Sequence, residues 1–208
     1  MDASAREALE AEVRRLCEAG DPRAASTAAL RGYGPEIYGP LRALMRREED
    51  ADEAFAVFGE DLWRGLPGFA WSSTLRTWAY AVARNAASRF HRGARKRAAN
   101  VPLSEAPEAL AIAEKVRTET ASYLKTDRRT RVQELRATLP EEDQMLLILR
   151  IDRGLSWNEL ACVMADGELR GEALTRESAR LRKRFQLVKE QFVEMGRKEG
   201  LVGRSSRE

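Results

Sequence analysis

The stretch Ser156-Trp157-Asn158-Glu159-Leu160-Ala161 opens a helix, because a serine and a glutamate three residues apart can each satisfy the other's free backbone amide. Leu160, Val163 and Met164 then fall at helical spacing on one apolar face. Upstream, Pro140-Glu141-Glu142-Asp143 sets a proline and three acids at another helix start, where the helix dipole favours negative charge. Met145, Ile148 and Leu149 form its buried face and Gly154 stops it; Val132, Leu135 and Leu139 precede it. Downstream, a looser stretch over 165–173 with two glycines leads to a last helix expected to start near Thr175. Leu181, Phe185, Val188, Phe192 and Met195 give that helix a core stripe too short for a coiled coil. Opposite the stripe, Arg176, Arg180 and Arg184 recur every four residues with Lys183 beside them. A short capped helix followed by a longer one with a basic N-terminal part follows the logic of a helix-turn-helix, in which the first helix braces and the second enters the major groove.

The first half is also helical. Leu9, Val13 and Leu16 mark a helix over 5–19, stopped by Gly20-Asp21-Pro22; residues 32–35 predict a break and 37–45 a short helix. Phe55, Phe58, Leu62 and Trp63 face one way over 50–66, and Pro67-Gly68 ends that run. After the loop Phe69-Ala70-Trp71-Ser72-Ser73-Thr74, the residues Leu75, Trp78, Val82, Ala86 and Phe90 recur at helical spacing. Apolar content then thins, which predicts a linker with one helix near 110–116. The expected fold is therefore all-α: two small helical domains, 1–97 and 131–208, joined by a linker over 98–130, the second domain a helix-turn-helix.

Of the 208 residues, 43% are hydrophobic and 33% charged, which excludes a disordered or membrane-embedded chain. No apolar run approaches the roughly 20 residues of a membrane span, and Met1-Asp2-Ala3-Ser4 opens with an acid, so a cytoplasmic location off the membrane is expected. Cys17, Cys162 and the single His91 supply neither a disulfide framework nor a zinc ligand set; no metal or cofactor is expected, and the cysteines read as small residues on apolar helix faces. Charge is sorted into blocks. Glu48, Glu49, Asp50, Asp52, Glu53, Glu60 and Asp61 stand without a base among them, and Arg84, Arg89, Arg92, Arg95, Lys96 and Arg97 without an acid. No nucleophile–base pair, paired acids or phosphate-binding glycine loop stands out, so the chain is not expected to be an enzyme.

Three stretches in order resemble the bacterial RNA polymerase sigma factors of the extracytoplasmic-function type. They are Asp50-Ala51-Asp52-Glu53 running on to Leu62-Trp63-Arg64; Ser73-Thr74-Leu75-Arg76-Thr77-Trp78 through Ala83-Arg84-Asn85 to Arg92; and Leu139-Pro140-Glu141-Glu142 with 155–161 and the basic last helix. The resemblance covers 24–200 and implies an initiation factor that binds core RNA polymerase and directs it to promoter DNA for transcription. It assigns 1–97 to polymerase binding and to recognition and melting of the minus-ten element, and 131–208 to the minus-thirty-five element. Polymerase binding would fall to Asp50, Asp52, Glu53, Phe58, Leu62 and Trp63. Here Ala56-Val57 replaces the family's Gln-Glu pair, so that contact must lean on the acids and Trp63. Family members are often held inactive by an anti-sigma protein, which adds such a partner to the expectations.

Opening a promoter leaves unpaired bases that need stacking partners and cations along the backbone. Trp71, Trp78 and Tyr80 are the aromatic candidates; Ser72, Ser73, Thr74 and Asn85 can bond base edges; Arg76, Arg84, Arg89 and Arg92 can meet phosphates. Trp78 lies on the apolar stripe and reads as core, whereas Trp71 in the loop reads as a contact, and the family resemblance makes 69–74 the specificity segment. For the duplex, Arg176, Glu177, Arg180, Arg182, Lys183 and Arg184 form the candidate set, with Arg180 and Arg184 leading. The interval of about ten residues between Met164 and Thr175 is long for this motif. A stand-alone helix-turn-helix regulator is the competing expectation and a helical adaptor a third.

Overall fold

In a computed structural model, residues 1–45, 47–91, 107–124, 131–165 and 167–200 are described, and among them there are helices and turns but no strand. The protein is all-α, as its periodicities predict. It divides into two compact units, Met1–Leu124 and Lys125–Glu208.

The first unit holds α1 (Ala3–Glu18), α2 (Pro22–Leu44), α3 (Glu48–Gly65), a 3-10 turn (Leu66–Gly68), α4 (Leu75–His91) and α5 (Pro107–Leu124). Helix α2 is central and packs against each of the other four. The junction before it follows local rules. Gly20 takes a left-handed φ of 74° after α1, the Asp21 carboxylate accepts from the Ala24 amide at 2.9 Å, and Pro22 occupies the first turn.

The break expected at 32–35 does not form, and α2 runs through it with Pro35 and Pro40 inside. Glycine and proline in a helix interior cost about 1 and about 3 kcal/mol, but here close packing outweighs that local preference. A Cβ at Gly32 would stand 2.2 Å from the Leu9 side chain of α1, and one at Gly34 would stand 2.7 Å from Val116 of α5 and 3.3 Å from Phe55 of α3. The glycines are notches into which neighbouring helices fit. Tyr33, Ile37, Tyr38, Phe55 and Phe58 fill the core beside them, each essentially without exposed surface.

Helix α5 lies within the stretch read as linker and extends beyond 110–116 at both ends. It is part of the first unit: Ala109, Ala113 and Val116 are buried, and α5 packs on α2 and α3. Gly59 makes room for it, since a Cβ there would lie 3.1 Å from that of Ala113. Arg117 reaches across to Asp52, and Arg23 of α2 pairs with Glu108.

The second unit holds α6 (Arg131–Arg136), α7 (Glu141–Leu147) continued by a π turn (Ile148–Asp152), α8 (Trp157–Met164) and α9 (Gly171–Lys198). The capping box is present: the Ser156 amide donates to Glu159 Oε2 at 2.7 Å and the Glu159 amide to Ser156 Oγ at 3.3 Å. Gly154, with φ 68°, follows the π turn, and the Leu155 amide returns to the Leu149 carbonyl at 3.0 Å. Leu146, Leu149, Leu155, Leu160, Leu181 and Phe185 build the core. The last helix starts at Gly171 and not near Thr175, so the interval after α8 shortens to 165–170. Thr175 donates its hydroxyl to the Gly171 carbonyl, closing the extra turn.

Filling the notch at Gly34 should therefore be costly. Gly34→Ala is expected to destabilise the protein by about 1–3 kcal/mol through overpacking against Val116 and Phe55, whereas Gly68→Ala, with nothing within 4 Å of its Cβ, should change chemical-denaturation midpoints little.

Candidate nucleic-acid interface

The loop between the 3-10 turn and α4 is held by aromatic packing. Phe69 stacks on Trp78 at 4.9 Å and lies tilted against Trp71 at 5.0 Å between ring centroids. Trp78 also rests on Gly65, where a Cβ would stand 3.0 Å from the indole. Trp71 is the only non-glycine residue among those described with a positive φ, 55°. A bulky residue held there stores about 1–3 kcal/mol that its surroundings must offset. Part of that surrounding is Arg14 of α1, whose guanidinium carbon lies 4.6 Å from the Trp71 ring centroid.

Thr74 caps α4: its hydroxyl oxygen accepts from the Thr77 amide at 3.1 Å and lies 2.9 Å from the Thr77 hydroxyl. Ser73 donates to the Thr74 carbonyl at 3.2 Å, and Ser72 is exposed. Glu10 of α1 adds a second anchor, accepting from the Arg76 amide at 3.2 Å and from the Tyr33 hydroxyl at 3.0 Å.

Along α4 the sequence-derived set splits in two. Arg76 and Tyr80, one turn apart, point inward and are 6% and 3% exposed. Both bind Glu36 of α2: Arg76 Nε donates to Oε1 at 2.7 Å and the Tyr80 hydroxyl to the same oxygen at 2.9 Å. Burial pushes the Glu36 carboxyl up, but the hydrogen bond and charge of Arg76 and the Tyr80 hydroxyl outweigh it, leaving the pKa below the usual value. These two residues brace the fold from its interior. Arg84 is half-buried. Asn85 is exposed, and Arg89 is exposed while paired with Asp61 of α3. Arg92 lies outside the described residues, as do Arg95, Lys96 and Arg97.

The polymerase-contact set on α3 divides likewise. Phe58 and Leu62 have no exposed surface and belong to the core, as the stripe with Phe55 demands. Asp52 accepts from the Tyr38 hydroxyl at 2.5 Å and pairs with Arg117 of α5. Burial and that bond push the Tyr38 hydroxyl up to about 12. Asp50, Glu53 and Trp63 are half-buried.

On α9, Arg184 binds Asp143 at 2.6 Å through Nε and Glu142 at 2.7 Å, tying α9 to the start of α7. The hydrogen bonds that Arg184 donates to Asp143 and Glu142 raise its pKa further. Arg180 clasps Glu177 at 2.6 and 2.8 Å, and that hydrogen bond lowers the Glu177 pKa. Arg184 thus ties two helices together, Arg180 is engaged on its own helix, Arg176 is exposed and lies 3.7 Å from Glu172, and Arg182 and Lys183 are exposed. Arg182 also stands 5.6 Å over the Trp157 ring, with Arg150 at 4.6 Å.

Sequence reasoning missed Arg14 and Glu10. They lie one turn apart on α1 and reach the loop only through the fold. Cys17 and Cys162 are half-buried and unpaired, with thiols pushed up by burial. Among the described residues no group of three or more His, Cys, Asp or Glu could hold a metal, and no helix is long and apolar enough to cross a membrane.

Residues 29–97 match the family described as Sigma-70 region 2, a span covering most of α2, all of α3, the aromatic loop and α4. The match supports a factor of the sigma-70 family. No curated protein and no solved structure matches the chain.

Two outcomes test the braces. Arg76→Ala should destabilise the first unit by about 3 kcal/mol, because it leaves the Glu36 carboxylate buried without its cation. Since the Glu36 pKa is lowered on folding, its contribution is complete above the ordinary carboxyl value of 4.5 and is lost as pH falls through the lowered one. Denaturation curves between neutral and acid pH should show that loss in the parent protein and a flatter acid limb in Glu36→Gln.

Proposed function

We propose that this chain is a sigma factor of the extracytoplasmic-function type: it binds core RNA polymerase in the cytoplasm and directs it to promoters. The observation that carries the reading is the coincidence of the Sigma-70 region 2 match with a loop that presents an indole on a strained backbone beside a cation. Sigma-type promoter opening requires unpaired bases to be captured, and base–aromatic stacking contributes about 1–3 kcal/mol per base. An exposed cation–π contact contributes about 0.5–1 kcal/mol, so a base can outcompete Arg14 for the Trp71 face. Ser72 and Ser73 follow Trp71 in the loop and would meet base edges, and Asn85 and Arg89 continue the exposed side of α4.

Polymerase binding in this reading falls to the half-buried side chains of the acidic helix, Glu53 with Asp50 and Trp63, and to Asp52 only where Arg117 releases it. The second unit serves the minus-thirty-five element as a helix-turn-helix, α8 bracing and α9 entering the groove, with Arg176, Arg182 and Lys183 toward bases and phosphates. An anti-sigma protein covering these faces belongs to the same reading, and co-purification from unstressed cells tests for it.

The deciding experiment is reconstituted transcription: purified protein added to core polymerase should yield transcripts with defined starts, and mapping those starts should reveal two upstream elements. Absence of binding to core polymerase at low salt would sink the proposal. Within it, Trp71→Ala should leave core binding intact and reduce open-complex formation about tenfold, read by permanganate footprinting.

A further inference from the structure

Helix α1 lies before the residues that match Sigma-70 region 2, yet it touches the aromatic loop at two points one turn apart. Glu10 accepts from the first turn of α4, and the guanidinium carbon of Arg14 stands 4.6 Å from the ring centroid of Trp71. Glu10 has a structural task, since it also receives the Tyr33 hydroxyl. Arg14 makes the ring contact alone. It is exposed, and among the described residues no carboxylate pairs with it, whereas its neighbour Arg15 is held by Glu12 at 2.8 Å. Its guanidinium therefore keeps its hydrogen-bond donors while it stands over the one indole that the backbone holds in a left-handed conformation.

Resting on the sigma-factor reading, we propose that Arg14 is a further residue of the single-strand site: it gives up the face of Trp71 to an unpaired base and takes the adjacent backbone phosphate. The chemistry is that of strand-binding grooves generally, in which a stacking platform and a cation beside it serve base and phosphate of one nucleotide. In the free protein the same pair satisfies itself, the cation on the ring, so the indole is kept covered and in place until a strand arrives. The exposed, otherwise unpaired side chain can swing aside without leaving a buried carboxylate behind.

The test uses the whole chain assembled with core polymerase and measures binding of fluorescent oligothymidylate and of a random-sequence single strand across a salt series, with core polymerase alone as the reference. Arg14→Met keeps the apolar stem and removes the cation. It should weaken strand binding severalfold and lower the slope of log affinity against log salt by about 0.7, the value for one phosphate on a single strand. Arg14→Lys should retain the slope. Trp71→Ala should lose affinity with the slope unchanged, and the double variant should lose less than the product of the two single losses. An unchanged slope in Arg14→Met, with or without a lower melting temperature, would leave Arg14 a tie for the loop and overturn the proposal. If the parent assembly binds strands no better than core polymerase alone, the sigma-factor reading fails and this inference with it. Parent binding with an indifferent Arg14 would remove the inference alone.

Discussion

The ion pair between Arg76 and Glu36, completed by the Tyr80 hydroxyl, fixes the rotation of α4 about its own axis. An arginine 6% exposed and a carboxylate beside it cannot be turned toward water without dismantling the contact between α4 and α2. With that pair inside, the residues a turn apart at 76 and 80 face α2, and those at 85 and 89 face outward. The loop before α4 inherits the constraint, because Trp78 must then lie over Gly65 and stack on Phe69. Breaking a buried pair of this kind from one side costs far more than the pair contributes over an apolar substitute. Its value here is orientation more than stability.

What could be read from the chain was what is decided locally. The Ser156–Glu159 capping box and the Gly20-Asp21-Pro22 junction formed as their residue types dictate, since each satisfies amides within a few residues of itself. The all-α class followed from periodicity. Residues 32–35 misled because glycine and proline preferences are local, while the notches for Leu9 and Val116 exist only once α1 and α5 are in place. The start of α9 was placed a turn late for a related reason: the glycines at 167 and 171 resembled a loop, and Gly171 in fact begins the helix.

The candidate site was legible in its position and less so in its membership. Motif order placed the loop and α4, but motif residues are not all outward residues. Phe58 and Leu62 carried the apolar stripe that buried them, so periodicity already held the answer that motif likeness obscured. Arg76 offered no such hint, because a buried arginine is recognised by its partner, and Glu36 lies on another helix. Arg184 is the same case in the second unit: its partners Glu142 and Asp143 are distant in sequence, and an arginine repeat on a helix looks like a basic face until its counter-charges are located. Arg14 is the converse, an unremarkable charge in sequence that tertiary structure brings to the loop.

The small residues along α5 bear on where this unit can be cut. Ala109 and Ala113 are buried, Gly59 and Gly34 lack the atoms that would fill the gaps left behind, and Arg117 neutralises Asp52. A fragment ending at 97, where the matched region ends, would keep α1 to α4 but open a hydrocarbon furrow along α2 and α3 with a newly unpaired carboxylate at its edge. Such a fragment would be adhesive, and its tendency to self-associate would reflect the missing helix and not the folded unit. The compact first unit is thus longer than its recognisable motif by a helix at each end.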